Sequence, residues 1–274
     1  MTIIATAMNA IFDLLTAPFG SHASLAVCVL SILTGVAMLL LFKVTTNQDQ
    51  LVAAREVLTG RLYEMGLFQD HLGVLMKIQG DLALANLRYV RWSLPALAAM
   101  LLPMLLILAQ FDARYGHQPM VPGEVTLLRV ALAAGQWSLL DKLELTADTG
   151  VEVDSRPVLD PGTGVAVWRV RAELPGDHEL VVRLPGGTEL TKELVVGEGA
   201  PRLARVREQE SLLRVLLNPA EAPLPGDQPV IAITLELPSR RLDYAGLRVH
   251  WLWAMIVFSM AFGLAVKDVL KVRL

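Results

Sequence analysis

Ser93–Phe111 reads SLPALAAMLLPMLLILAQF, nineteen positions without an Asp, Glu, Lys or Arg. A helix of that length is about 28 Å long, close to the hydrocarbon thickness of a bilayer. Water is a poor solvent for such a segment, so the reading of the whole chain turns on it. Pro95 is expected in the first turn, where its missing N–H costs nothing, and Pro103 in the interior, where it kinks the helix. His22–Phe42 adds 21 residues of the same character. Val249–Val266, VHWLWAMIVFSMAFGLAV, adds 18 and opens on His250, Trp251 and Trp253, rings that favour the headgroup level and serve as interface anchors. Three transmembrane helices are therefore expected, over 22–42, 93–111 and 249–266.

Composition agrees with a membrane protein. The chain has 274 residues, 54% of them apolar and only 19% charged, with a mean hydropathy of +0.49. Its net charge of -3 leaves no basic face to neutralise a run of phosphates, so nucleic acid drops out as a partner. The single cysteine, Cys28, lies in an apolar run; it excludes an intrachain disulfide and a thiolate metal cluster, and reads as a small packed hydrophobe.

Residues 1–21 are apolar but interrupted by Asp13, Pro18 and Gly20, with no Lys or Arg at the start, so a cleaved signal peptide is not expected. Ile4, Met8, Ile11, Phe12 and Leu15 fall on one helical face, which predicts a short amphipathic helix in the headgroup layer rather than a fourth span. Orientation follows from basic residues near the spans. Lys43, Arg55, Arg88, Arg91, Lys267, Lys271 and Arg273 lie on one side, and Arg114, Arg240, Arg241 and Arg248 on the other. That bias places 43–92 and the basic tail 267–274 in the cytoplasm, and the N-terminus and 112–248 outside an inner or plasma membrane.

The cytosolic segment 43–92 contains no proline. Leu51, Leu58, Met65 and Leu72 recur at seven, and Phe68, Leu75, Leu82 and Tyr89 form a second such series, predicting a coiled-coil-like helical segment. Asn47 and Asp49 offer helix-start chemistry, and Gly60, Gly66, Gly73 and Gly80 weaken one straight rod, which suits a hairpin turning near Met65–Asp70. Beyond Phe111 the pattern changes to short apolar runs bounded by TADTG, DPGTG, LPGD, LPGG and PLPGD. Strands are predicted near 125–132, 139–145, 165–174, 179–184, 189–196, 212–217 and 230–237, with Trp168 as a core anchor. Seven short strands suit an immunoglobulin-like β-sandwich over 112–248.

No pattern for covalent chemistry emerges. His22, His71, His117, His178 and His250 are scattered without ligand spacing, so no metal site is expected. LPGGTEL and DPGTG lack a phosphate-loop ending and read as turns, and there is no GxSxG elbow, so catalytic residues and cofactors are both expected to be none. The three spans contain no ionised side chain, which argues against pumps and channels. They do contain Met38, Met100, Met104, Met255 and Met260, adaptable thioethers that can line a groove for varied apolar clients, with Ser31, Thr34 and Ser259 as its polar members. Ordinary packing explains the same methionines, and the small and hydroxyl residues Ser24, Ser31, Thr34, Gly35, Ser93, Ser259 and Gly263 suit either close helix approach, the commoner explanation, or a wetted groove on the cytosolic half.

The order of spans, with Lys43–Arg91 between the first two, Leu101–Met104 (LLPM) in the second and His250–Trp251 leading into the third, resembles the Oxa/YidC insertase superfamily, in particular its small three-span members related to the insertase subunit of the ER membrane complex. That resemblance covers the membrane part. It implies a three-helix core with a lipid-open groove that lowers the barrier for clients entering the bilayer. The expected function is insertion or assembly of membrane proteins, with the lipid bilayer, nascent membrane proteins or the ribosome at the hairpin, and an extracytoplasmic protein as partners. The rivals are a structural adaptor whose sandwich binds an outer partner and a signal-transmitting receptor.

Overall fold

The computed structural model describes residues 3–20, 22–68 and 72–272. Its helices are α1 (Ile3–Thr16), α2 (Ala23–Thr45), α3 (Gln48–Leu67), α4 (Leu72–Phe111), α5 (Leu212–Leu217) and α6 (Trp251–Val266). Its strands are β1 (Val125–Leu132), β2 (Glu144–Ala147), β3 (Val151–Val153), β4 (Val158–Asp160), β5 (Val165–Ala172), β6 (Gly176–Arg183), β7 (Glu189–Val196), β8 (Val206–Glu208), β9 (Val230–Leu235), β10 (Leu242–Tyr244) and β11 (Leu247–Val249). The architecture is α+β, with two long apolar helices and a β-sandwich-like region. Two compact units divide the chain: residues 1–28 with 106–254, and residues 29–105 with 255–274.

Helix α2 and the stretch Gly73–Gly116 are long and apolar enough to cross a membrane, whereas α6 has 16 residues. The helix expected over 249–266 starts two residues later because Val249 is spent in β11. The helix expected over 93–111 is the second half of a continuous 40-residue helix, α4. Pro95 is therefore well inside a helix rather than in a first turn. Each interior proline removes one ladder bond, here to the carbonyls of Arg91 and Ala99.

Asn47 caps α3, its side chain accepting from the Gln50 N–H at 3.3 Å. On α3 the residues withdrawn from solvent include Leu51, Ala54, Leu58, Arg61 and Met65; on α4 they include Leu75, Ile78, Leu82, Ala85 and Tyr89. Both sets step by three and four, one stripe per helix. Arg61 bonds Glu64 at 2.6 Å and lies 3.8 Å from Asp81 of α4. Gly60, Gly66, Gly73 and Gly80 all sit inside helices. The expected turn near 65–70 includes Gln69 and Asp70, which lie outside the described residues. At the other end Lys43 Nζ donates to the Leu270 carbonyl at 2.6 Å, tying the last turn of α2 to the segment after α6.

In the other unit, antiparallel strands build three sheets: one ordered β3-β5-β1-β9-β8, with β4 also on β5, a second ordered β2-β6-β7, and the two-stranded ribbon β10-β11. Alternation places Leu128, Val130 and Leu132 of β1 and Ala166, Trp168 and Val170 of β5 inward. They meet Leu180 and Val182 of β6 and Leu190 and Leu194 of β7 in one core. Trp168 stands opposite Leu128 and is 2% exposed.

Two expected strands are not strands. Residues 139–145 are mostly a 3-10 turn, Trp137–Lys142, whose three-residue period lets Leu140 and Leu143 point into the core together. Gly164, at φ +70°, makes room for the Trp137 ring: a Cβ there would fall 2.2 Å from Nε1. Residues 212–217 form helix α5, because Leu-rich LLRVLL carries helix propensity and Ser211 stands at its N-cap position. A six-residue apolar run fits either period.

Helix α1 packs within this unit rather than floating free of it. Its inward face is Ala5, Asn9 and Phe12, while Ile11, Leu14 and Leu15 point outward and Met8 is half-buried; the Ile4 side chain lies outside the described residues. The expected apolar face is thus split, because the Asn9 amide is drawn in to donate to the Pro219 carbonyl and accept from Gln110, at 2.9 and 2.8 Å.

Candidate functional site

The helical unit holds an apolar groove of about 460 Å³. Thr34, Gly35, Met38, Leu39 and Phe42 line it from α2, Leu97, Met100, Leu101 and Met104 from α4, and Ser259, Met260, Gly263 and Leu264 from α6. These positions recur at three and four along each helix, so each helix turns one stripe into the groove.

A close backbone approach sets one wall. A Cβ built on Gly35 would lie 2.5 Å from the Ser259 carbonyl oxygen and 3.0 Å from its Cα, so α2 and α6 touch where only glycine fits. Small residues repeat at four on both helices, Ser31 and Gly35 on α2 and Ser259 and Gly263 on α6.

Chemically the groove is neutral. Among the described lining residues there is no Asp, Glu, Lys or Arg. Thr34 donates to the Leu30 carbonyl at 2.8 Å and Ser259 to that of Ile256 at 3.2 Å, so both hydroxyl donors are spent inside their own helices. What remains is thioether and aliphatic surface, suited to another apolar segment and to no proton or electron transfer. Among the described residues no group of three or more His, Cys, Asp or Glu is placed to hold a metal ion.

Of the eight residues that the sequence nominates, the structure brings Thr34, Met38, Met100, Met104, Ser259 and Met260 together on this groove. Ser31 and Met255 are fully buried and do not line it. Leu39, Phe42, Leu97, Leu101 and Leu264 complete the wall without having been singled out; helices apolar on every side give no signal for which leucine faces a neighbour.

The expected interface anchors separate. Trp251 is buried, its ring centroid 5.8 Å from Phe111 and 5.6 Å from His250, whereas Trp253 is 64% exposed. The Phe111 ring also meets Phe12 and Tyr115 edge-on. Beside this cluster Arg114 reaches Asp13 at 2.5 Å and packs over Phe12 at 5.6 Å, pinning α1 to the turn after α4.

In the sandwich unit Lys192 occupies an inward position of β7 with no exposed surface. Its ammonium donates to Glu221 at 2.5 Å and to the Ala204 carbonyl at 2.6 Å, and desolvation pushes its pKa below the usual lysine value. Glu221 also accepts from the Glu193 backbone N–H at 3.2 Å, so the loop after α5 is fastened to β7.

No family model, curated protein or solved structure matches the chain. Geometry and chemistry alone carry the functional reading.

Proposed function

We propose that this chain is a multi-pass membrane protein that assists insertion or assembly of other membrane proteins, without covalent chemistry, by receiving their apolar segments in the groove between α2, α4 and α6. The three helices cross the bilayer; α3 and the first half of α4 form a helical hairpin in the cytoplasm; the immunoglobulin-like sandwich lies outside; α1 rests in the headgroup layer with Ile11, Leu14 and Leu15 toward lipid.

The neutral, methionine-rich groove carries the reading. Leu33, Leu40, Leu94, Leu102, Val257 and Phe262 are exposed on the same helices, a pattern costly in water and ordinary in lipid. A client helix seated against Met38, Met100, Met104 and Met260 meets side chains that repack to its shape. The expected partners are nascent membrane proteins, with the hairpin as the docking arm for a ribosome or client. An ionised client residue is held no more cheaply here than in lipid, where it costs a few kcal/mol on insertion scales, so clients with uncharged spans are favoured.

The same absence of charge favours, as second reading, a structural adaptor whose spans only anchor a partner-binding sandwich. Photocrosslinkers at Met38, Met104 and Met260 in living cells separate the two. The insertion reading expects adducts with many newly made membrane proteins; adducts with lipid alone, or with one fixed partner, contradict it.

A further inference from the structure

The antiparallel ribbon β10–β11 sorts its side chains by face. Pairing of Asp243 with Arg248, and of Leu242 with Val249, puts Arg241, Asp243 and Arg248 on one side and Leu242, Tyr244, Leu247 and Val249 on the other. Leu242 on the second side is buried, and the Tyr244 hydroxyl donates to the Ser24 carbonyl at 2.9 Å, so the ribbon is held by its apolar face. Its polar face is left over.

Against that polar face lie Gln118 and Ser239, in two segments clipped together by the Gln118 N–H donating to the Pro238 carbonyl at 3.0 Å. Gln118, Ser239, Arg241, Asp243 and Arg248 line a cavity of about 440 Å³. Two guanidinium groups face one carboxylate. Among the described residues neither Arg241 nor Arg248 forms an ion pair, a state shared in this unit by Arg156, Arg205 and Arg240 but not by Arg129, Arg169, Arg171 and Arg183. Asp243 stands opposite Arg248 in register, yet its Oδ1 accepts the Gly246 N–H at 2.9 Å within the turn.

We infer that this cavity binds a phosphate group, held by Arg241 and Arg248 with Gln118 and Ser239 as neutral donors. Planar guanidinium groups match phosphate oxygens two at a time, and an amide and a hydroxyl supply further donors. One carboxylate in the wall disfavours a dianion, so a singly charged phosphodiester suits the site better than free phosphate. Arg248 lies three positions before the start of α6, and on the reading proposed above, in which α6 crosses the bilayer, that end of the helix lies at headgroup depth. An anionic phospholipid headgroup is therefore the favoured source. The inference does not rest on the groove.

The full-length protein in dodecyl maltoside, titrated calorimetrically with short-chain phosphatidylglycerol and separately with inorganic phosphate, tests it. Phosphatidylglycerol binding should weaken about tenfold or more in Arg241→Gln and in Arg248→Gln, and stay unchanged in Arg183→Gln. Tighter binding of phosphatidylglycerol than of phosphate supports the lipid source; tighter binding of phosphate, with the same dependence on the two arginines, supports the site and assigns it a soluble ligand. Binding that is unaffected by both substitutions, or wild-type protein that binds neither ligand, overturns the inference.

Discussion

Replacing Gly35 by alanine separates the close-packed account of the groove from a loose one. The added methyl carbon would lie 2.5, 3.0 and 3.1 Å from the O, Cα and C of Ser259, all backbone atoms that no side-chain rotation can move. Ordinary contact requires α6 to withdraw by about 1 Å, and overpacking of that kind costs about 1–3 kcal/mol. Alanine also returns up to about 1 kcal/mol of helix propensity. Gly263→Ala is the control, since that glycine lines the same groove with nothing within 4 Å of its added carbon. Gly35→Ala should therefore be less stable than Gly263→Ala by about 1–3 kcal/mol. Equilibrium unfolding by sodium dodecyl sulfate in mild detergent, followed by circular dichroism, measures both. A Gly35→Ala protein as stable as the control refutes the close approach of α2 and α6.

The buried Lys192–Glu221 pair makes an asymmetric prediction. Glu221→Gln leaves the lysine uncompensated and should cost about 3–5 kcal/mol, whereas Lys192→Met combined with Glu221→Gln should recover most of that, as read from urea unfolding. Because the folded pKa of Lys192 lies below its unfolded value of 10.5, the unfolded chain binds more protons on the alkaline side, so this group's penalty is full below the folded pKa and fades as pH rises toward 10.5. Wild-type stability should thus gain relative to Lys192→Met across that range; a flat difference with pH speaks against burial of the charge. Trp168→Ala should cost about 3–5 kcal/mol, and a loss below 1 kcal/mol would remove it from the core. Gly164→Ala meets both a positive φ and the Trp137 ring and should destabilise the sandwich where Gly187→Ala, strained but unobstructed, does so less; tryptophan fluorescence followed through a urea titration compares the two.

The apolar helices and the strand-rich region were legible because long uncharged runs and short runs punctuated by Gly and Pro leave different marks. β1 and β7 are found at their expected limits, Val125–Leu132 and Glu189–Val196, where alternation is clean and turns flank both ends. Where alternation was weak, local signals did not decide: LLRVLL turned helical, and the 3-10 turn around Leu140 took the place of a strand. The short strands β3, β4 and β8 exist through pairing with β5 and β9 and have too few residues to show a period. Composition pointed to Met38, Met100, Met104 and Met260, but not to the leucines beside them, because facing is a property of packing. In the sequence Arg241 and Arg248 carry only a topological signal; their shared face depends on a ribbon whose turn, Ala245–Gly246, uses positive φ at both positions.

Spin labels placed singly at Leu102, Met260 and Trp137 of a Cys28→Ala protein in liposomes test the membrane account most directly. All three residues are exposed, the first two on the apolar helices and the third on the sandwich unit. Labels at Leu102 and Met260 should collide freely with oxygen and hardly at all with a water-soluble nickel chelate, and the label at Trp137 should show the reverse. Equal access of the chelate to Leu102 and Trp137 would contradict the placement of these helices in lipid.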